Sequence, residues 1–226
     1  MPSSNLQIAI DGPAASGKTT VARTVADRLH VLYLDTGAMY RALAFLAVHS
    51  RSEVDNENSL VRLLDQHRVR VSLDREAPLG FRIFAGEREL QQDDLESPEV
   101  TSVVSTIAAH PLVREAMVAQ QRQIAGEGPV VMAGRDIGTV VLPGAPYKIY
   151  LTASVAARVA RRQAQLASAG IDVSREELTT EIEERDRLDE SRHISPLKKA
   201  AGAIVIDSSD LSAAQVVDRI CAAVQR

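Results

Sequence analysis

Residues 12–19 read Gly12-Pro13-Ala14-Ala15-Ser16-Gly17-Lys18-Thr19, Thr20 follows, and the apolar run Leu6-Gln7-Ile8-Ala9-Ile10 precedes them. Glycines at these positions let a backbone curl until successive N–H groups point at one anion. Lys18 can then reach β- and γ-phosphates, and the Thr19 hydroxyl can face Mg²⁺. Downstream, Val21, Ala22, Val25, Ala26 and Leu29 recur at helical spacing. That helix turns its positive end toward the same anion. The pattern therefore predicts a nucleoside triphosphate site with Mg²⁺. It does not say what receives the phosphate, because kinases, ATPases and switch GTPases share it.

Three further clusters carry chemistry. Asp35-Thr36-Gly37-Ala38-Met39-Tyr40-Arg41 closes a second apolar run, and ligands gather at the carboxyl ends of parallel strands. Thr36 is expected to cap the helix, with Tyr40 and Arg41 one turn on; the alternative is a capped core helix and nothing more. Gly134-Arg135-Asp136-Ile137-Gly138-Thr139 follows a third run. An Arg fork suits phosphate oxygens, and flanking glycines favour close approach to a ligand; the alternative is an Arg–Asp pair that steadies a turn. Finally, Arg158, Arg161 and Arg162 lie on one predicted helix, and Arg185, Asp189 and Arg192 share a face of the next. With the small, polar tip 163–173 between them, the two helices resemble a lid or else a solvated, ion-paired surface.

The elements that must position these residues alternate. Strands are predicted at 6–10, 31–35, 129–133, 147–151 and 203–206. Helices are predicted at about 18–29, 37–49, 57–66, 98–109, 111–125, 153–168, 175–191 and 211–224. Ser97-Pro98 marks one helix start, Ser174 with Glu177 a capping box, and Gly126 a helix end. The alternation implies an α/β fold with a five-stranded, mostly parallel sheet and helices on both faces. Residues 67–92 break the rhythm with period-two runs, which predicts a small antiparallel lobe inserted at the substrate end.

At 226 residues the chain suits one domain with an inserted lobe. With no Trp, small aliphatic residues must fill the core. A net charge of −4 argues against a nucleic-acid-coating protein. Cys221 has no intramolecular partner, pointing to a reducing compartment, hence the cytoplasm. Met1 to Asn5 carries no positive charge and no long apolar stretch follows, so neither a leader nor a membrane span is expected. The five His lack metal-ligand spacing, and no dimer stripe is evident, so a monomer is expected.

The stretches Ile10 to Lys18, Leu34 to Arg41, Gly134 to Val141 and Glu184-Arg-Asp-Arg187, with Asp189 and Arg192, resemble those of the nucleoside monophosphate kinases, specifically the bacterial cytidylate kinase family. The resemblance spans nearly the whole chain. It implies transfer of the ATP γ-phosphate to CMP or dCMP. It implies an acceptor-binding insert at about 37–110 and a lid at about 155–190. By motif, Gly12 to Thr20 resemble the ATP cradle, and Arg158 and Arg162 lid arginines near the donor. Ser105, Arg114 and Asp136 resemble cytosine contacts. Arg41, Arg135 and Arg192 resemble the acceptor-phosphate clamp, Arg185 and Asp189 the pentose contacts. Thr36 and Tyr40 join the acceptor site, and Lys18, Arg135, Arg185 and Arg192 the catalytic set. Thr36 stands where Ser is common, which keeps the hydroxyl. Many members carry an acidic residue where this chain has Ala133, so acidic help to Mg²⁺ from that position is missing. A carboxylate accepts from the cytosine amine, whereas uracil offers it only a carbonyl.

Other acceptors stay open on the residues alone: UMP, AMP, shikimate or a coenzyme precursor. A GTPase would need Asn-Lys-x-Asp, and none of Asn5, Asn56 and Asn58 precedes a Lys. A nucleotide-driven switch would leave the 134–139 loop and the Arg face unexplained.

Overall fold

The structure, a computed structural model, describes residues 6–168 and 170–224. The reading of Met1 to Asn5 as free of a leader lies outside the described residues, as does Ala169 within the 163–173 tip.

Five parallel strands form the central sheet: β1 (Gln7–Asp11), β2 (Leu32–Asp35), β6 (Val130–Gly134), β7 (Tyr147–Thr152) and β8 (Ile204–Asp207). Their order is β2-β6-β1-β7-β8, with Asp11 in register with Gly134, and Asp35 with Ala133. The inner strands are covered on both faces, which is why Ile8, Ile10 and Met132 are fully buried. Because every strand runs the same way, Asp11, Asp35, Gly134, Thr152 and Asp207 end along one edge. The loops that leave this edge build the site.

Helix α1 (Lys18–Leu29) follows β1, and α2 (Thr36–His49) follows β2. Sequence placed the cap of α2 on Thr36, but Asp35 is the cap: its backbone is extended and its carboxylate accepts from Gly37 N–H at 2.9 Å. Thr36 is the first helical residue, and its hydroxyl donates instead to Ala133 O at 3.0 Å.

Between α2 and β6 run α3 (Glu57–His67), β3 (Val69–Ser72), β4 (Arg82–Ala85), β5 (Arg88–Leu90), α4 (Gln92–Glu96), α5 (Pro98–Ile107) and α6 (Pro111–Ala125). The three strands form an antiparallel sheet whose buried face, with Val69, Ile83, Ala85 and Leu90, joins the main core. The five-residue α4 is a single capped turn that periodicity does not reveal. After β7, α7 (Val155–Ser168) and α8 (Arg175–Ser191) form a hairpin. It has its own small core of Val159, Leu178 and Ile182, against which Ala15 of the 12–17 loop packs. The Ser174–Glu177 capping box is present. Helix α9 (Ala213–Val224) closes the chain and packs on α1. No helix among the described residues is long and apolar enough to cross a membrane.

Gly12 shows how tightly the loop is set into the sheet. A Cβ added there would lie 2.0 Å from the Leu151 carbonyl oxygen on β7. Overpacking of this kind costs on the order of 1–3 kcal/mol, so Gly12→Ala is expected to lower the unfolding free energy by about 2–3 kcal/mol. Urea denaturation checks this; an unchanged midpoint would mean the loop can retreat from β7.

Candidate active site

A cleft of about 610 Å³ opens along the carboxyl edge of the sheet, lined by the 14–21 segment, α2, α4, α5, the 133–136 turn, α7 and α8. Its size is that of sites built for sizeable polar ligands.

The 12–17 loop curls as its glycines allow. Ala15 and Gly17 take the left-handed conformation, with φ of 54° and 90°. Ala14, Ala15, Ser16, Gly17, Lys18, Thr19 and Thr20 line the cleft, whereas Gly12 and Pro13 do not. Gly12 is spent on contact with β7, and Pro13 presents its carbonyl to Lys18. Lys18 Nζ donates to Pro13 O at 2.6 Å and to Ser16 Oγ at 3.2 Å. Burial, reinforced by the neighbouring Arg135 cation, pulls the Lys18 ammonium well below its ordinary pKa. Thr19 Oγ1 donates to Asp35 Oδ2 at 2.8 Å.

Arg158 is not among the lining residues, contrary to expectation. Its guanidinium is buried beneath the loop, donating to Ala14 O at 3.1 Å and Ala153 O at 3.2 Å and pairing with Asp186. Asp186 in turn accepts from Ala14 N–H at 3.0 Å. The pair therefore pins the cradle to α7 and α8 from behind. Arg162 does line the cleft, bonded among the described residues only to Gln165.

Opposite the cradle, Arg41, Arg135, Arg185 and Arg192 converge on the same cleft. Arg41 is steadied by Leu95 O and Thr101 Oγ1, each at 3.1 Å. Arg135 Nε donates to Asp189 Oδ2 at 2.6 Å, and Arg192 donates to the other oxygen of the same carboxylate. Burial pushes Asp189 up, but the Arg135 and Arg192 charges outweigh it and hold the carboxyl below its usual range. Arg185 donates to no such partner among the described residues. Burial, with Arg135 and Arg41 as like-charged neighbours, brings it down to about 10. One carboxylate thus serves two guanidiniums while a third has none.

At the inner end, Arg114 pairs with Asp136 at 2.5 Å, both buried. The Arg114 guanidinium also lies over the Tyr40 ring at 5.3 Å. Ser105 and Thr36 line the cleft beside them. Burial, opposed by Arg114, pushes the Tyr40 phenol up to about 12. Tyr40 OH, Arg114 Nε and Arg192 Nε are buried with no hydrogen-bond partner among the described residues. Gly134 serves packing as well as access: a Cβ there would sit 2.6 Å from Thr36 Oγ1. No residue of β3–β5 lines the cleft; between β5 and β6, Gln92, Glu96, Thr101, Val104, Ser105, Ala108 and Arg114 do.

Sequence reasoning did not single out several contributors. Asp11 ends β1 and takes Ile137 N–H and Gly138 N–H, each at 2.7 Å. These are the first, otherwise unpaired amides of a π-helical turn over Ile137–Val141, so Asp11 anchors the segment that carries Arg135 and Asp136. Its place at a strand end was the available signal. Arg161 donates to Ser16 O at 3.3 Å and Ser208 Oγ at 3.0 Å, joining the cradle to the end of β8. It belonged to the arginine cluster but carried no assignment. Ser208 offered no signal at all. A hydroxyl and a carboxylate at Thr19 and Asp35 are hard oxygens that suit Mg²⁺, which keeps several waters and takes few protein ligands.

The chain matches the family described as Cytidylate kinase over residues 8–226. It is 48% identical over 216 residues to the cytidylate kinase of Geobacillus sp. (strain WCH70), covering 96% of this chain and 95% of that one. It is 46% identical over 220 residues to the cytidylate kinase of Anoxybacillus flavithermus (strain DSM 21510 / WK1), covering 97% and 96%. Among solved structures it is similar to a shikimate kinase from Bacteroides thetaiotaomicron, with a TM-score of 0.50 and 13% identity over 98% of this chain and 99% of that one. At that identity the likeness concerns the fold alone, a P-loop kinase architecture.

The anchoring role of Asp11 has a pH signature. Burial, opposed by the two amide bonds, raises its carboxyl from 3.8 to about 6. The folded state therefore binds a proton that the unfolded chain releases, and the contribution of Asp11 to stability is full below pH 4 and lost as pH rises through 6. The stability of the wild type relative to Asp11→Asn should fall by about 2 kcal/mol between pH 4 and pH 7. Denaturation at several pH values measures it; a pH-independent difference would show that the carboxyl keeps its ordinary pKa.

Proposed function

The chain belongs to the cytidylate kinase family, and from that premise we propose how its residues share the transfer of the ATP γ-phosphate to CMP or dCMP. The 14–20 segment holds the donor phosphates, with Lys18 leaving Pro13 O and Ser16 Oγ for the β- and γ-oxygens. Mg²⁺, where bound, neutralises phosphate charge; Thr19 is the hydroxyl that faces it, with Asp35 behind. Arg162 closes over the donor, and Arg158 supports the cradle rather than touching the nucleotide.

Arg41, Arg135 and Arg192 clamp the acceptor phosphate, and Asp189, besides orienting two of them, faces the pentose with Arg185. Phosphoryl transfer asks mainly for positioning and neutralisation. An acceptor that is itself a phosphate arrives ionised, so no general base is needed. Asp136, oriented by Arg114, accepts from the cytosine amine, with Ser105 and Thr36 beside it. In this reading the protein's partners are small nucleotides rather than nucleic acid, and it works as a cytoplasmic monomer.

The observation that carries the reading is the charge imbalance: guanidiniums crowd one cleft, and Arg185, pulled down to about 10, has no anion of its own among the described residues. Two phosphates supply that charge. An assay of ADP release with each nucleoside monophosphate should give CMP and dCMP as the fast acceptors. Turnover of UMP or AMP at a comparable rate would assign the cleft to another base. Arg185→Ala is expected to lower kcat about a hundred- to a thousandfold while ATP affinity changes little. Equal losses in both would assign Arg185 to the donor alone. Asp136→Asn should narrow the preference for CMP over UMP at least tenfold, since the amide can donate to the uracil carbonyl as readily as accept from the cytosine amine; an unchanged preference removes Asp136 from base reading.

A further inference from the structure

Asp35 does more than cap a helix. Its Oδ1 accepts from Gly37 N–H at 2.9 Å and closes the start of α2. An uncharged Asn or Ser would serve there equally well. The second oxygen and the charge are surplus to the cap, and Oδ2 takes the Thr19 hydroxyl at 2.8 Å. A hydroxyl has one proton and two lone pairs. With its proton committed to Asp35, Thr19 Oγ1 turns only lone pairs to the cleft, the polarity that a hard cation requires.

The other carboxylates at this edge are engaged elsewhere. Asp11 holds Ile137 and Gly138, Asp136 holds Arg114, Asp189 is shared by Arg135 and Arg192, and Asp207 holds Ser209. Ala133, the register partner of Asp35 on β6, lines the same cleft with a methyl group. Among the described residues, no group of three or more His, Cys, Asp and Glu could hold an ion unaided. An ion here must therefore arrive with phosphate oxygens and find only a few protein atoms.

We propose that Asp35 is the positioning residue for the divalent ion that accompanies the nucleotide: it fixes Thr19 Oγ1 as an acceptor and supplies the negative charge that β6 lacks at Ala133. The inference rests on the reading of the 12–20 segment as a triphosphate cradle. A structural cap would leave metal dependence untouched, whereas this role would not.

The test uses the full chain and two variants that both keep a helix cap, Asp35→Asn and Asp35→Ser. Calorimetry gives ATP affinity in EDTA and in Mg²⁺, and electron paramagnetic resonance counts free Mn²⁺ in the presence of ATP and protein. The expected result is a metal-free ATP affinity within about twofold of wild type, with Mn²⁺ affinity of the ATP complex reduced about tenfold or more. A folded variant that keeps the full metal-dependent gain overturns the proposal while leaving the cradle intact. A wild type that binds no ATP, with metal or without, overturns the cradle reading and this inference with it.

Discussion

The arrangement depends on positive charge that the protein does not neutralise by itself. Lys18, Arg41, Arg135, Arg185 and Arg192 meet in one cleft, and Asp189 answers two of them. Burying a cation without a counter-charge costs several kcal/mol, and here burial and like-charge neighbours pull both Lys18 and Arg185 below their ordinary pKa. Such a cleft is poised for anions. Under the proposed function the same positions neutralise two phosphates and bring them together against their mutual repulsion, which is the main task of phosphoryl transfer between nucleotides.

The scaffold sustains this crowding by holding Arg41 on Leu95 O and Thr101, and Arg135 and Arg192 on the shared Asp189 carboxylate. The parallel sheet delivers its strand ends to one edge. Asp11 ties the Arg135–Asp136 segment to β1, Asp186 and Arg158 tie the cradle to the α7–α8 hairpin, and Arg161 ties it to Ser208. Movement of that hairpin would therefore pull on Ala14, Ala15 and Asp189 together. The 12–17 loop and the Arg135–Asp189–Arg192 cluster are mechanically one unit.

Much of this was legible in the chain. Strands covered on both faces read as continuous apolar runs, as Val130 to Met132 does, so the parallel sheet and its ends could be located within a residue. The lining residues of the cradle, the Arg135–Asp136 pair and the Arg185–Asp189–Arg192 face were visible because types and spacing sufficed. What escaped depends on tertiary approach. Asp35 and Thr36 can each cap a helix, and only the extended backbone at Asp35 decides between them. Spacing places Arg158 and Arg162 on one helical face, but whether a guanidinium meets solvent or Ala14 O depends on α8. Gly12 and Gly134 look like room for a ligand, yet their missing Cβ atoms make room for Leu151 and Thr36.

The central claim is that this cleft is an anion site first and a base-reading site second. Calorimetric titration of the protein with CMP and with cytidine isolates the phosphate contribution. Several charge-assisted hydrogen bonds, each worth about 1.5–3 kcal/mol, should make CMP bind at least about a hundredfold more tightly, with the advantage shrinking as salt rises. Cytidine binding as well as CMP, with no dependence on salt, would contradict the account.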